Sequence, residues 1–188
     1  AYVQSAVCVP SRMSYYTGRY VSSHGSTWNY VPLSVLQRTL GDYLEAAGLD
    51  ATLAGKTHVI PDRLGLQRFD MDPESPHGQM YLHGGFRELD RYDGHARPGV
   101  ESGYARYLRD NGYDGEDPWF NFAIGALDER GEFANGWYLR NAHLAARVDR
   151  KHSETAYMTD RALDFVRAKG DRPWVLHLSY IKPHWPLM

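Results

Sequence analysis

The chain of 188 residues has little cysteine, no long apolar run and almost no excess charge. A single cysteine, Cys8, excludes an internal disulfide and any metal site built from several cysteines. No stretch approaches the roughly 18 to 20 apolar residues that cross a bilayer, so we expect no membrane segment. The 21 basic and 23 acidic residues leave a net charge of -2, which argues against a nucleic-acid-binding protein.

Hydrophobic residues make up 43% of the chain and charged residues 23%, which is typical of a globular domain. The sequence begins with Ala1 rather than methionine and shows no basic or apolar leader. We therefore expect a segment of a longer protein. The unpaired cysteine and the absent leader would fit the cytoplasm.

Hydrophobic periodicity predicts helices at 10–17, 34–47 and 153–169, and buried strands at 49–55 and 174–180. Proline at the start of the first helix and Gly18 after its end agree with the usual distribution of these residues. Twice, a predicted strand follows directly on a predicted helix. This order predicts an α/β fold with a largely parallel sheet flanked by helices.

The middle of the chain, 60–150, is rich in glycine, aspartate and proline. We interpret it as a loop-rich insertion within the domain, built around one short helix at 103–111. Three roles fit this composition: a wall of a substrate cleft, a contact in a homo-oligomer, or ordinary surface insertion.

The segment around Cys8 is the most informative part of the sequence. If the first helix starts near Pro10, Cys8 lies at its N-terminal end, where backbone N–H groups and the helix dipole stabilise an anion. Arg12, four residues later, would then project beside Cys8 and pair with a tetrahedral oxyanion. The alternative is a buried structural cysteine followed by an arginine that faces solvent.

Two Lys-x-His pairs follow the two predicted strands: Lys56 with His58, and Lys182 with His184. In an extended chain, residues i and i+2 share a face, so the lysine and histidine of each pair would point the same way. Ligands of open α/β sheets bind beyond the carboxyl ends of the strands. We therefore expect both pairs and Cys8 to surround a dianionic tetrahedral group; the alternative is polar residues that merely leave the core.

The cysteine segment resembles a known signature. Cys8-x-Pro10-Ser11-Arg12, followed by Thr17-Gly18-Arg19, is similar to the signature of the type I sulfatases of the alkaline-phosphatase superfamily, in the branch of bacterial arylsulfatases and phosphonate monoester hydrolases. The resemblance implies that 1–188 is the N-terminal part of a partial alkaline-phosphatase-like domain. It also implies that a formylglycine-maturation enzyme oxidises Cys8 to Cα-formylglycine, whose hydrate is a geminal diol.

The resemblance extends to both Lys-x-His pairs. Gly55-Lys56-x-His58 and Pro183-His184-x-Pro186 match sulfatase patterns whose lysine and histidines contact the transferred group, which makes Lys56, His58 and His184 catalytic candidates beside Cys8 and Arg12. Asn29 matches an active-site asparagine of the phosphonate hydrolase branch, with a turn residue as the alternative. Lys182 adjoins the second pattern and is assigned to substrate binding. Phosphonate hydrolases have neutral residues in place of Lys56 and His58, so the sequence favours a sulfatase.

The family's metal site takes acidic ligands from before the cysteine motif and from well after the Pro-His pattern, so we expect only the Cys8-derived ligand in this chain. Hard oxygen ligands favour Ca²⁺ or Mn²⁺, with Mg²⁺ as a third choice. The predicted function is hydrolysis of small-molecule sulfate esters, with little activity from these residues alone. The alternatives are a phosphonate monoester or phosphodiester hydrolase, and a non-catalytic module that binds anions with an unmodified Cys8.

Overall fold

A computed structural model describes residues 2–94 and 101–187 of the chain. Its core is a sheet of three parallel strands, in the order β2-β1-β5, and a short antiparallel hairpin of β3 and β4 lies apart from it. The α/β prediction with a parallel sheet is confirmed. The strands are β1 (Asp50–Gly55), β2 (Arg87–Arg91), β3 (Gly125–Leu127), β4 (Phe133–Asn135) and β5 (Trp174–Ser179).

Within residues 2–94 and 101–187, seven α-helices accompany the strands, together with a π-helical turn at Trp119–Ala123 and two short 3-10 turns at Leu139–Asn141 and Arg150–His152. Among the residues that the structure describes, no helix combines the length and the apolarity needed to span a membrane. The helices are α1 (Cys8–Thr17), α2 (Val21–His24), α3 (Leu40–Ala46), α4 (Arg63–Arg68), α5 (Pro76–Leu82), α6 (Gly103–Asp110) and α7 (Glu154–Lys169).

Two helix starts differ from the prediction. Helix α1 begins at Cys8 itself, two residues earlier than predicted. Helix α3 begins at Leu40 rather than at residue 34, because Thr39 and Asp42 form a capping box: the Thr39 backbone N–H and hydroxyl both donate to the Asp42 carboxylate, at 2.6 and 2.8 Å. Leu36, which suggested the longer helix, is exposed.

Helix α1 is attached to β1 by an apolar stripe. Val9, Met13 and Tyr16 recur at helical spacing, are almost completely buried, and pack in one cluster with Leu53 of β1 and Phe86. A second cluster joins α6, α7 and the π-helical turn to the segment after β5; its members include Tyr104, Leu108, Trp119, Met158 and Ile181. The two clusters place α1 and the start of α7 beside the carboxyl ends of the strands.

The middle of the chain contains more regular structure than was predicted. The short helix is present as α6, but α4, α5, β2 and the β3–β4 hairpin were missed. Strand β2 lies at an edge of the sheet and has the polar sequence Arg-Glu-Leu-Asp-Arg, which gives no apolar alternation to detect. Residues 95–100, part of a predicted loop, lie outside the described residues.

Gly55 allows β1 to approach β5 at the end that leads into the candidate site. Its φ is 104°, and a Cβ there would lie 2.1 Å from the carbonyl oxygen of Ser179. That oxygen accepts a hydrogen bond from the Lys56 backbone N–H at 3.0 Å.

We expect Gly55→Ala to lower the free energy of unfolding by more than the roughly 1–3 kcal/mol of backbone strain alone, because the strands must also separate. Gly112→Ala is the matched control: Gly112 has a φ of 85°, but a Cβ there meets nothing within 4 Å. Urea unfolding of both variants measures the difference. Equal losses would show that contact between the strands is not what requires glycine at position 55.

Candidate active site

Three segments converge at the carboxyl ends of β1 and β5. Cys8 is the first residue of α1, Lys56 directly follows β1, and His184 lies in the turn after β5. The Sγ atom of Cys8 lies 4.0 Å from Nε2 of His184. The structure therefore brings together the predicted nucleophile position and a predicted histidine that are far apart in sequence.

Arg12 links α1 to both strands. Its Nη1 donates to the carbonyl oxygen of Lys56 at 2.8 Å and to the hydroxyl of Ser179 at 3.0 Å. Arg12 lies one helical turn after Cys8, so these bonds also fix the position of Cys8 relative to the strand ends. The guanidinium keeps further N–H donors beyond this atom, so the predicted role as an anion clamp is compatible with its structural role.

Lys56 is a buried cation. Its side chain is 1% exposed, and its Nζ has no hydrogen-bond partner among the described residues. Burial lowers the pKa of Lys56 and the Arg12 guanidinium lowers it further, whereas the surrounding acidic groups and Cys8 oppose the shift. A buried ammonium without a partner is costly, so an anionic ligand is expected to complete this site.

Asp93 holds the turn that carries the first Lys-x-His pair. Its Oδ1 accepts from the backbone N–H groups of Thr57 and His58, at 3.1 and 3.3 Å, and its Oδ2 accepts from Arg91 at 2.6 Å. His58 has a φ of 56°, so the chain is not extended there. We expected His58 to share a face with Lys56 because we assumed an extended chain. That assumption was wrong, since side chains alternate between faces only in extended chain.

Asp93 was not predicted as a site residue because β2 was not predicted as a strand. Asp93 follows β2 at the same sheet edge where Lys56 follows β1. Recognition of the strand would have placed this carboxylate at the site, since the carboxyl ends of parallel strands share one edge.

Asn29 caps the helix that begins at Cys8. Val7, the residue before the helix, has no polar side chain, and the Asn29 Oδ1 instead accepts the backbone N–H of Val9 at 3.0 Å. This bond satisfies one of the N–H groups that a helix leaves unpaired at its start. The predicted contact of Asn29 with substrate stays a prediction.

The second Lys-x-His pair lies in a turn rather than in extended chain. The His184 backbone N–H donates to the Ile181 carbonyl at 2.8 Å. The His184 Nδ1 lies 2.6 Å from the Trp185 carbonyl oxygen, and because a carbonyl only accepts, Nδ1 carries the proton. In the neutral ring, Nε2 is then an acceptor facing Cys8. Lys182 donates from Nζ to the Pro186 carbonyl, and its predicted contact with substrate stays a prediction.

A second acidic residue missed from the sequence is Glu154, the first residue of α7. It lines a cavity of about 400 Å³ with Lys182, Trp119 and Pro186. Burial raises the pKa of the Glu154 carboxyl to about 7, and Lys182, the Trp119 side chain and Lys56 partly oppose the rise. No local sequence pattern marks this residue, since its surroundings come from distant segments.

The described residues contain no group of three or more histidine, cysteine or acidic side chains arranged to hold a metal ion. The functional groups around Cys8 are mainly basic: Arg12, Lys56 and His184. The assignment of Cys8 as a metal ligand therefore stays a prediction.

Comparison with protein-family models matches the whole chain, residues 1–188, to the family described as Sulfatase. Among curated proteins, a multifunctional alkaline phosphatase superfamily protein, PehA of Trinickia caryophylli, is 28% identical over 96% of this chain and 32% of its own length. An ulvan-active sulfatase of Formosa agariphila is 30% identical over 34% of this chain and 13% of its own length.

Solved structures show a similar fold. The phosphonate monoester hydrolase SpPMH of Silicibacter pomeroyi matches with a TM-score of 0.73 and 27% identity, over 96% of this chain and 33% of its own. The phosphonate monoester hydrolase of Agrobacterium radiobacter matches with a TM-score of 0.69 and 24% identity, over 97% of this chain and 32% of its own. The chain thus spans about a third of the length of PehA and of both hydrolases.

The raised pKa of Glu154 predicts a pH-dependent stability. Between the unfolded value of about 4.5 and the folded value of about 7, the folded state binds more protons, so this group lowers stability as pH rises. We expect Glu154→Gln to gain stability relative to the native protein between pH 5 and pH 8, by at most about 3 kcal/mol.

Urea unfolding across this pH range measures the effect, with Asp164→Asn on the same helix as the control. The Asp164 side chain is 59% exposed, so its removal is expected to leave the pH dependence unchanged. If Glu154→Gln and the native protein give parallel curves, Glu154 does not titrate as the burial indicates.

Proposed function

The chain belongs to the sulfatase family, and we propose that it carries the anion-binding part of the active site of a hydrolase that cleaves sulfate monoesters. The observation that carries the proposal is the convergence of Cys8, Lys56 and His184. The Cys8 Sγ lies 4.0 Å from the His184 Nε2, and a buried ammonium without a partner among the described residues lies at the same sheet edge. Such a cluster suits a dianionic tetrahedral group.

We propose that Cys8 is oxidised to formylglycine, which makes a maturation enzyme a partner of this protein. The position fits the modified residue, since Cys8 is only partly buried, lies at a helix N-terminus and faces a histidine. A hydrated aldehyde there supplies one hydroxyl that bonds to sulfur as the ester oxygen leaves, and a second whose deprotonation breaks the C–O bond and releases sulfate.

The surrounding side chains would share the charge and the proton. Lys56 and the remaining donors of Arg12 would bind the sulfate oxygens, whose charge grows as the ester bond breaks. His184 would hold a proton on Nε2 when charged and give it to the departing alkoxide oxygen. Arg12 is fixed before substrate arrives, so its charge needs little reorganisation.

The family resemblance implies a divalent metal, Ca²⁺ or Mn²⁺ with Mg²⁺ as a third choice. The side chains that the structure describes do not by themselves fit one, because they include no group of three or more histidine, cysteine or acidic residues that could hold a metal ion, and hard cations prefer several carboxylate oxygens. The roles proposed for Arg12, Lys56 and His184 do not depend on the metal.

Phosphonate monoester hydrolysis is the second candidate, and the similarity to SpPMH supports it. Lys56 and His58 favour sulfate esters, as the family patterns indicate. Rates of the full-length protein on an aryl sulfate and on a phenyl phosphonate would rank the two. A non-catalytic module with an unmodified Cys8 would hydrolyse neither substrate.

Mass spectrometry tests the proposed nucleophile. In protein from a host with the maturation enzyme, we expect the peptide that contains Cys8 to be about 18 Da lighter than its thiol form, because CH₂SH becomes CHO. The same peptide from Cys8→Ala is the control and should show only the mass of the substitution. Hydrolysis by protein whose Cys8 remains a thiol would contradict the formylglycine mechanism.

The leaving group tests His184. In the full-length protein, we expect His184→Ala to lower kcat by roughly 10²- to 10⁴-fold for an alkyl sulfate, since its alkoxide needs a proton. The loss should be much smaller for 4-nitrophenyl sulfate, whose phenolate leaves unprotonated. His77→Ala is the control, because His77 is an exposed residue of α5. Equal losses on both substrates would show that His184 is not the proton donor.

A further inference from the structure

The turn that carries His184 is held by two side chains outside the reacting groups. Lys182 donates from Nζ to the carbonyl of Pro186 and so ties together the two residues that flank the turn. The indole Nε1 of Trp185 donates to the Trp137 carbonyl at 3.1 Å. Between these anchors, His184 points its Nε2 at Cys8.

Lys182 lines the same cavity as a carboxyl-bearing residue, Glu154, and the two charges interact. Glu154 and Lys182 line this cavity of about 400 Å³, with Trp119 and Pro186. Burial lowers the pKa of Lys182, and the negative charge of Glu154 opposes that shift. Lys56 also acts on the Glu154 carboxyl, so Glu154 is exposed to more positive charge than that of Lys182 alone.

Glu154 lies at the capped N-terminal end of α7. It begins α7, where the Ser153 hydroxyl accepts the Ala156 backbone N–H at 3.3 Å and caps the helix. Tyr157 and Met158, one turn later, are buried in the second apolar cluster. These contacts hold the helix backbone that carries Glu154 beside the turn after β5, whose Lys182 and Pro186 line the same cavity.

We propose that Glu154 is a positioning residue of the site, which acts through Lys182 to hold the 181–186 turn in the conformation that directs His184 at Cys8. The inference rests on the proposed function only for the role of His184 as the proton donor to the leaving group. It gives Lys182 a role in holding the turn rather than in touching substrate. It also explains why a carboxyl stands where burial disfavours its charge, because an ammonium without a nearby anion would hold the turn less firmly.

Hydrogen-exchange mass spectrometry of the full-length protein at pH 8 tests the proposal. We expect Glu154→Gln to accelerate exchange in a peptide covering 178–187 by about tenfold, with the His184 amide as the main reporter. The global free energy of unfolding should meanwhile stay the same or rise, because the neutral amide replaces a carboxylate whose charge is disfavoured by burial. If the carboxyl were merely structural, Glu154→Gln would instead lower the global free energy of unfolding while it accelerates exchange in this peptide.

Variants of the partner separate the charge from the volume. Lys182→Met should accelerate exchange as Glu154→Gln does, the double variant should add little, and Lys182→Arg should restore most of the protection. Asp164→Asn is the control and should leave the peptide unchanged. Unchanged exchange in both Glu154→Gln and Lys182→Met would overturn the proposal. Exchange is measured without turnover, so this outcome is distinct from a failure to find formylglycine or hydrolysis.

Discussion

The two hydrogen bonds from Arg12 are the constraint on which the site depends. One guanidinium nitrogen binds the Lys56 carbonyl and the Ser179 hydroxyl, and so joins α1 to the ends of β1 and β5. Because Cys8 lies one turn earlier on the same helix, its distance from the strand ends follows from these bonds. Lysine, a point donor on a flexible stem, does not reproduce this geometry.

The concentration of positive charge is the second general feature. Lys56 is buried without a hydrogen-bond partner among the described residues, and Arg12 lowers its pKa further. Two carboxylates offset part of this positive charge. Asp93 accepts hydrogen bonds from the backbone of the turn after β1, and Glu154 lines the neighbouring cavity. The remaining positive charge suits a bound anion, as the proposed cleavage of a sulfate ester requires.

The parts predicted from sequence are those that local pattern encodes. Apolar periodicity predicted α7, β1 and β5. The position of Lys56 and His184 after strands predicted that both lie at the carboxyl ends of the sheet. The start of α3 was misjudged, since Leu36 continued the apolar spacing while the capping box at Thr39 decided the boundary. Strand β2 was missed because a polar edge strand has no apolar alternation. Asp93 was missed with β2, and Glu154 was missed because its surroundings come from segments distant in sequence.

The contacts that build the site join residues far apart in sequence, which bears on the order in which the molecule folds. The bond that completes the start of α1 spans 20 residues, the two from Arg12 span 44 and 167, and the contact between Cys8 and His184 spans 176. Helix α1 is local and can form early, but these contacts each require closure of a longer loop. A chain in which these loops are still open therefore lacks the site even where α1 has formed, and the surroundings of Cys8 are complete only when the longest loop closes.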